Sequence, residues 1–167
     1  MDVSVEAIKE LREQTGAGIM DCKRALQESK GDLARAEEIL RERGGASAAK
    51  KASRATNQGV VESYIHSGGR IGAMVEVNCE TDFVARTPEF KELAHDLAMQ
   101  VAAMSPLYVD DSEIPDGDEV DPQQACILQQ PFIKDPSQTI QDLVNEAISK
   151  LGENVRVRRF TRFSLGE

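Results

Sequence analysis

The sequence has no tryptophan, two histidines, three cysteines and aromatic residues at only 4%. Each shortage removes a class of function. Cys22, Cys79 and Cys126 lie too far apart for the local spacing of a metal site, and their odd number suits free thiols in a reducing compartment. His66 and His95 are also remote from one another, so no metal or cofactor is expected. No apolar run approaches the ~20 residues that span a bilayer. The opening MDVSVEAIKEL lacks the basic and apolar parts of a secretory signal, and its acids argue against a transit peptide. A cytoplasmic location is the expectation. A basic excess is missing too, since 20 Lys and Arg face 29 Asp and Glu for a net charge of −9. Phosphate neutralisation needs the opposite balance, so neither nucleic acid nor an anionic membrane is an expected partner. P-loop, nucleophile elbow, cysteine-pair and His-Glu-x-x-His motifs are all absent, and the chain does not read as an enzyme.

What is present is 167 residues, 40% of them apolar, enough for a buried core. The charge is unevenly spread. Residues 106–136 hold eight acidic groups against one basic, together with five of the six prolines. Like charges repel and proline removes backbone donors, so this stretch reads as a solvated irregular connection. Ile127, Leu128, Phe132 and Ile133 are its expected anchors. Asp110, Asp111, Asp116, Asp118 and Asp121 match a calcium loop in composition but not in spacing.

Residues 1–43 read as three short helices. Ser4 caps the first, whose apolar face is Val5, Ile8 and Leu11. Thr15 to Gly18 break it. The second runs from about Ile19 to Ser29 and ends at Lys30 and Gly31. Asp32 caps the third, which carries Leu33, Ala36, Ile39 and Leu40 and is expected to stop at Gly44 and Gly45. Such a bundle has no room for an active site and suits a binding surface. Residues 44–57 lack large apolar side chains and read as a linker, with enough alanine and lysine to form a solvated helix.

Residues 58–167 change to period two and read as an α+β core. Residues 70–79 alternate, with Ile71, Ala73, Val75, Val77 and Cys79 on one side. Residues 59–66 pair with them across the turn at Ser67, Gly68 and Gly69. Thr87 and Pro88 open a helix bearing Phe90, Leu93, Leu97 and Val101. A later helix starts near Ser137 and is stopped by Gly152. A last strand begins at Asn154, and its alternation slips between Phe160 and Phe163, as a bulge would require. The expected unit is a three-stranded antiparallel sheet with helices on one face. Val60, Tyr64 and Met74 are assigned to its other face, which is either solvated or packed on a second copy.

Between that hairpin and the following helix lie Glu80, Thr81, Asp82, Phe83, Val84, Ala85 and Arg86. Phe83 and Val84 either fold down onto the sheet or form an aromatic knob aimed at a partner, and pattern alone leaves both open. Arg156, Arg158, Arg159 and Arg162 make a basic strand, read as solvated or paired with acids rather than as an RNA surface.

Three stretches carry a longer signal: LREQTGAGIMDCKRAL at 11–26, EVNCETDFVA at 76–85 and GENVRVRR at 152–159. Together, in this order, they resemble the signatures of the translation elongation factor Ts family. The resemblance implies a ubiquitin-associated-like N-terminal bundle, an α+β core, and guanine-nucleotide exchange on elongation factor Tu. It implies that Asp82 and Phe83, flanked by Thr81 and Val84, enter the GTPase near its magnesium site. Ile19, Met20 and Lys23 would touch another helix of the same domain, and Leu151 and Gly152 would also contact the partner. Tyr64, His66, Arg70, Ile71 and Gly72 match a family pattern whose histidine touches another Tu domain. Long members of the family carry two half-cores, whereas this chain has both features on one hairpin. It resembles a short form that pairs as a homodimer through the open sheet face. The alternative is a helical adaptor acting through the N-terminal bundle alone.

Overall fold

The computed structural model describes residues 3–167, and its element boundaries follow capping chemistry. Ser4 Oγ accepts from the Ala7 amide at 3.1 Å and opens α1 (Val5–Thr15). Gly16, at φ +66°, ends it in the left-handed conformation that glycine tolerates. α2 (Ile19–Glu28) follows. Asp32 accepts from the Arg35 amide at 3.0 Å to open α3 (Leu33–Lys51). Leu11, Cys22, Ala25, Leu26, Ala36 and Ile39 are buried together between these helices and form a small core.

β1 (Gln58–Ile65) and β2 (Ile71–Cys79) make the hairpin. A single helical turn, α4 (Asp82–Ala85), leads to α5 (Pro88–Met104). Thr87 Oγ1 accepts from the Phe90 amide at 3.3 Å, and Pro88 fills the first helical position. The acidic stretch contains the short α6 (Pro122–Ala125) and a two-stranded ribbon, β3 (Pro131–Phe132) with β4 (Asp135–Thr139). Thr139 and Asp142 then cap one another's amides and open α7 (Ile140–Leu151). That start lies later than Ser137, because residues 135–139 are held extended in the ribbon. Gly152, at φ +75°, ends α7 and turns the chain into β5 (Val155–Ser164).

The main sheet has the order β1-β2-β5, all antiparallel. α5 crosses one face. Its Phe90, Leu97 and Val101 are fully buried against Val75 and Val77 of β2, with Ile140, Val144 and Ile148 of α7 completing the core. Each of the larger side chains contributes about 1.5–3 kcal/mol by leaving water. In β5 the register shifts, so that Glu76 faces Arg159 while Val77 faces Val157. Arg158 is the extra residue of that bulge. It puts Phe160 opposite Val75 on the core face and Phe163 opposite Gly72 on the other.

The acidic stretch is fastened by a buried amide. Gln100 Nε2 donates to Gln130 Oε1 at 3.3 Å and to the Pro131 oxygen at 3.0 Å, and its Oε1 accepts from the Ile133 amide at 3.0 Å. Ile127 and Phe132 are buried beside it.

Two expectations need correction. Gly44 and Gly45 do not end the third helix, which continues to Lys51. Gly44 is buried facing Asn145 and Ser149 of α7, so packing of α3 on α7 outweighs the helix cost of two glycines. Val60 and Tyr64 do not share the open face with Met74. They lie opposite Val77 and Ala73 and pack toward α5, whereas Met74 lies opposite Ser63 on the outer side. β1 has apolar residues at both parities, and only its pairing with β2 fixes which set is buried. The open face carries Val61, Ile65, Met74 and Phe163, all exposed. A groove of about 690 Å³ there is lined by Ile65, Met74, Phe163 and Leu165.

Candidate functional site

β2 delivers the chain to a tightly held turn. Thr81 Oγ1 accepts from the Val84 amide at 3.4 Å and opens α4. Ala85 is buried and Val84 packs on the main core. Asp82 pairs with Arg86 at 2.9 Å, one helical turn on. Phe83 points away from all of this and is 77% exposed. Of the two side chains that sequence left open, Val84 folds down and Phe83 does not. A phenylalanine held this way exposes apolar surface that folding has done nothing to cover.

The turn is locked to the corner between α7 and β5. Glu153 Oε2 accepts from the Glu80 and Thr81 amides, each at 3.0 Å, and its Oε1 accepts from the Thr81 hydroxyl at 2.6 Å. Glu80 Oε1 accepts from the Asn154 amide at 2.7 Å. Two carboxylates thus cap each other's loops. Leu151 and Gly152 immediately precede this corner. Leu151 is half-buried on the core and Gly152 is exposed.

Ile19 and Met20 open α2 with their side chains 55% and 61% exposed, and Lys23 is exposed one turn later. They adjoin a cleft of about 780 Å³ between the bundle and α7, with Ile19 and Met20 on one wall and Asn145, Glu146 and Lys150 on the other. Desolvation in that seam pushes the Glu146 carboxyl above its ordinary value, with Lys150 opposing.

His66 is elsewhere. It follows β1 at the hairpin end, whereas Gln58 at the other end of β1 faces Cys79, just before the Phe83 turn. Eight strand residues separate the two ends, or about 25 Å at the usual rise. Its Nδ1 lies 3.1 Å from the Tyr64 hydroxyl, and the Tyr64 ring stands edge-on to His95 with centroids 5.8 Å apart.

Comparison with known proteins decides the family. The model of the family described as elongation factor TS matches residues 32–120. Elongation factor Ts of Carboxydothermus hydrogenoformans is 49% identical over 195 aligned positions, covering 99% of this chain and 90% of that protein. Elongation factor Ts of Thermotoga neapolitana is also 49% identical, covering 100% of this chain and 99% of its own. That of Thermoanaerobacter sp. is 48% identical, with 99% and 96% covered. This chain belongs to the elongation factor Ts family.

Membership makes the chain a translation elongation factor. The structure brings Thr81, Asp82 and Phe83 beside the Leu151–Gly152 corner and keeps His66 apart. Among the described residues no group of His, Cys, Asp and Glu is arranged to hold a metal, and no helix is long and apolar enough to cross a membrane. The basic strand is largely answered by acid, since Glu76 receives Arg159 at 2.7 Å and Arg158 at 3.7 Å. Hydrogen bonds from Asn78 and Arg159 lower the Glu76 carboxyl below its usual range.

Sequence reasoning assigned no role to Glu80, Glu153 or Asn154, although all three stand inside the motifs it singled out. Asn154 is buried, and its Nδ2 donates to the oxygens of Ala52 at 3.4 Å and Arg54 at 3.0 Å. The available signal was a polar run, Gly-Glu-Asn, at a helix end with apolar residues on both sides. Buried polar groups in such a place must find partners.

Proposed function

We propose that this chain is a guanine-nucleotide exchange factor that binds elongation factor Tu carrying GDP and promotes GDP release without covalent chemistry. The observation that carries the proposal is Phe83: exposed, on a turn whose neighbours Thr81, Asp82, Val84 and Ala85 all have partners within the chain. An aromatic side chain held ready in this way loses little conformational freedom on entering a pocket. Family membership supplies the partner.

In this reading Asp82 and Phe83 enter the GTPase near the nucleotide and its magnesium, with Thr81 and Val84 holding them at the right height. Ile19, Met20 and Lys23 take a second contact, Leu151 and Gly152 a third, and His66 a fourth on another domain of Tu. Linkage gives the energetics: a factor that weakens GDP binding by some ratio binds the nucleotide-free GTPase more tightly by the same ratio. A second copy of the chain covers the open sheet face through Val61, Ile65, Met74 and Phe163.

The test is release of a fluorescent GDP analogue from elongation factor Tu, with and without this protein. Acceleration at catalytic amounts is expected. An unchanged release rate at saturating protein would end the proposal.

A further inference from the structure

We propose that Glu153 is a positioning residue that sets the orientation of Phe83, an inference that rests on the exchange reading above. The geometry is asymmetric. Cys79 is the last residue of β2 and pairs with Val155, so the Glu80 and Thr81 amides lie beyond the strand ladder. Those two amides meet one carboxylate oxygen, and the Thr81 hydroxyl meets the other oxygen. Thr81 Oγ1 is also the cap of α4, accepting from the Val84 amide. The chain of contacts therefore runs from Glu153 to Thr81, from Thr81 to the first turn of α4, and from that turn to Phe83. No atom of Glu153 need touch the partner for it to govern where Phe83 points.

A second link ties the turn to the rest of the binding surface. Glu80 returns its own carboxylate to the Asn154 amide, and it also receives Arg54 at 3.4 Å. Asn154 in turn grips the Ala52 and Arg54 oxygens just past the end of α3. Residues 52–54, 80–83 and 151–154 are thereby fastened at one node. The Phe83 turn, the Leu151–Gly152 corner and the helix leading from the bundle are held in a fixed relation, and this rigidity is what a wedge requires. A loose turn would spend binding free energy on ordering itself instead of on displacing the nucleotide site.

Charge-assisted hydrogen bonds are the strong ones, and Glu153 accepts three. Losing them from a half-exposed site is expected to slow exchange by roughly tenfold or more.

The experiment is a double-mutant cycle on the full-length protein, reading fluorescent GDP release from elongation factor Tu for Glu153→Ala, Phe83→Ala and the pair. The expected result is that Glu153→Ala slows release about tenfold alone and less than about twofold when Phe83 is already alanine. Independent, multiplicative losses would overturn the positioning role and make Glu153 a contact in its own right. Glu153→Gln keeps an oxygen for the two amides but offers the Thr81 hydroxyl a donor in place of the acceptor it has now, and it is expected to recover part of the rate that alanine loses. A glutamine variant as slow as the alanine one would also overturn the proposal. Amide hydrogen exchange gives a readout independent of Tu. In Glu153→Ala the Glu80 and Thr81 amides are expected to lose protection while those of β2 keep it. If both keep their protection, Glu153 is not holding the turn. An unaltered protein that leaves GDP release unchanged would instead remove the exchange reading beneath the inference, and a normal rate for Phe83→Ala alone would overturn the wedge role of Phe83 and the positioning role with it.

Discussion

The thiol of Cys79 donates to the backbone oxygen of Thr81 across 3.1 Å. It closes the same turn from below that Glu153 closes from the side. Burial, and secondarily the Glu153 carboxylate, push this thiol up to about 11. Burial also raises Cys22 and Cys126. All three are free and buried. Two results are expected. At pH 8 a thiol reagent should label the native protein far more slowly than the denatured one, which exposes three thiols. In the unfolded chain Cys79 ionises near 9.0, and in the native state near 11. Its contribution is therefore complete below about pH 9 and is lost as pH rises toward 11. Denaturant midpoints measured from pH 8 to 11 should fall across that window, and less so in Cys79→Ser.

Phe83→Ala is expected to leave the fold intact and remove most exchange activity. The side chain is 77% exposed and gives the core nothing, so stability should change by no more than about 0.5 kcal/mol. A hot-spot aromatic is worth about 2–4 kcal/mol on truncation, which is roughly 30- to 1000-fold in affinity for the GTPase. A thermal melt and a GDP-release assay separate the two effects. Loss of folding would mean that Phe83 supports the core.

Met74 and Phe163 are exposed on the face of the sheet that α5 does not cover, 48% and 70% respectively. A stable dimer needs about 800 Å² from each partner with an apolar centre. Two such faces meeting around Val61, Ile65, Met74 and Phe163 would supply that centre. Light scattering at micromolar concentration is expected to give twice the chain mass. Phe163→Glu should reduce it to one, because it places two carboxylates at a desolvated contact. A monomer for the unaltered chain would exclude pairing through this sheet.

Local chemistry was readable from the sequence, and long-range pairing was not. Ser4, Asp32, Thr87 and Gly152 announced helix ends because caps act within one turn of chain. The bulge at Arg158 was legible as a slip in alternation between Phe160 and Phe163. Sequence pattern alone puts Val60 and Tyr64 on the wrong face, because β1 has apolar residues on both sides and only its register with β2 decides. Gln100 reads as an ordinary polar helix residue, since its partner Gln130 is 30 positions away. Phe83 could be weighed but not decided. A core residue and a knob have the same neighbours in sequence, and what separates them is the network of Glu80, Thr81 and Glu153 across more than 70 positions.

Two glycines separate helix cost from steric need, and alanine substitution should move them in opposite directions. A Cβ on Gly44 would lie 3.8 Å from Ser149 Oγ and 3.9 Å from the Asn145 oxygen, which is ordinary contact. The site is helical and glycine there costs about 1 kcal/mol relative to alanine. Gly44→Ala is therefore expected to stabilise the protein by up to that amount, raising Tm by about 2–4 °C for a chain of this size. A Cβ on Gly59 would sit 2.1 Å from the Val77 backbone oxygen, at φ +153°. Backbone cannot move aside there without breaking the β1–β2 ladder, so Gly59→Ala should destabilise by about 2–4 kcal/mol. Thermal melts of the two variants check both signs. If Gly44→Ala lowers Tm, the seam between α3 and α7 is tighter than these distances allow, and the close approach of the two helices, not chain flexibility, is why glycine stands in mid-helix.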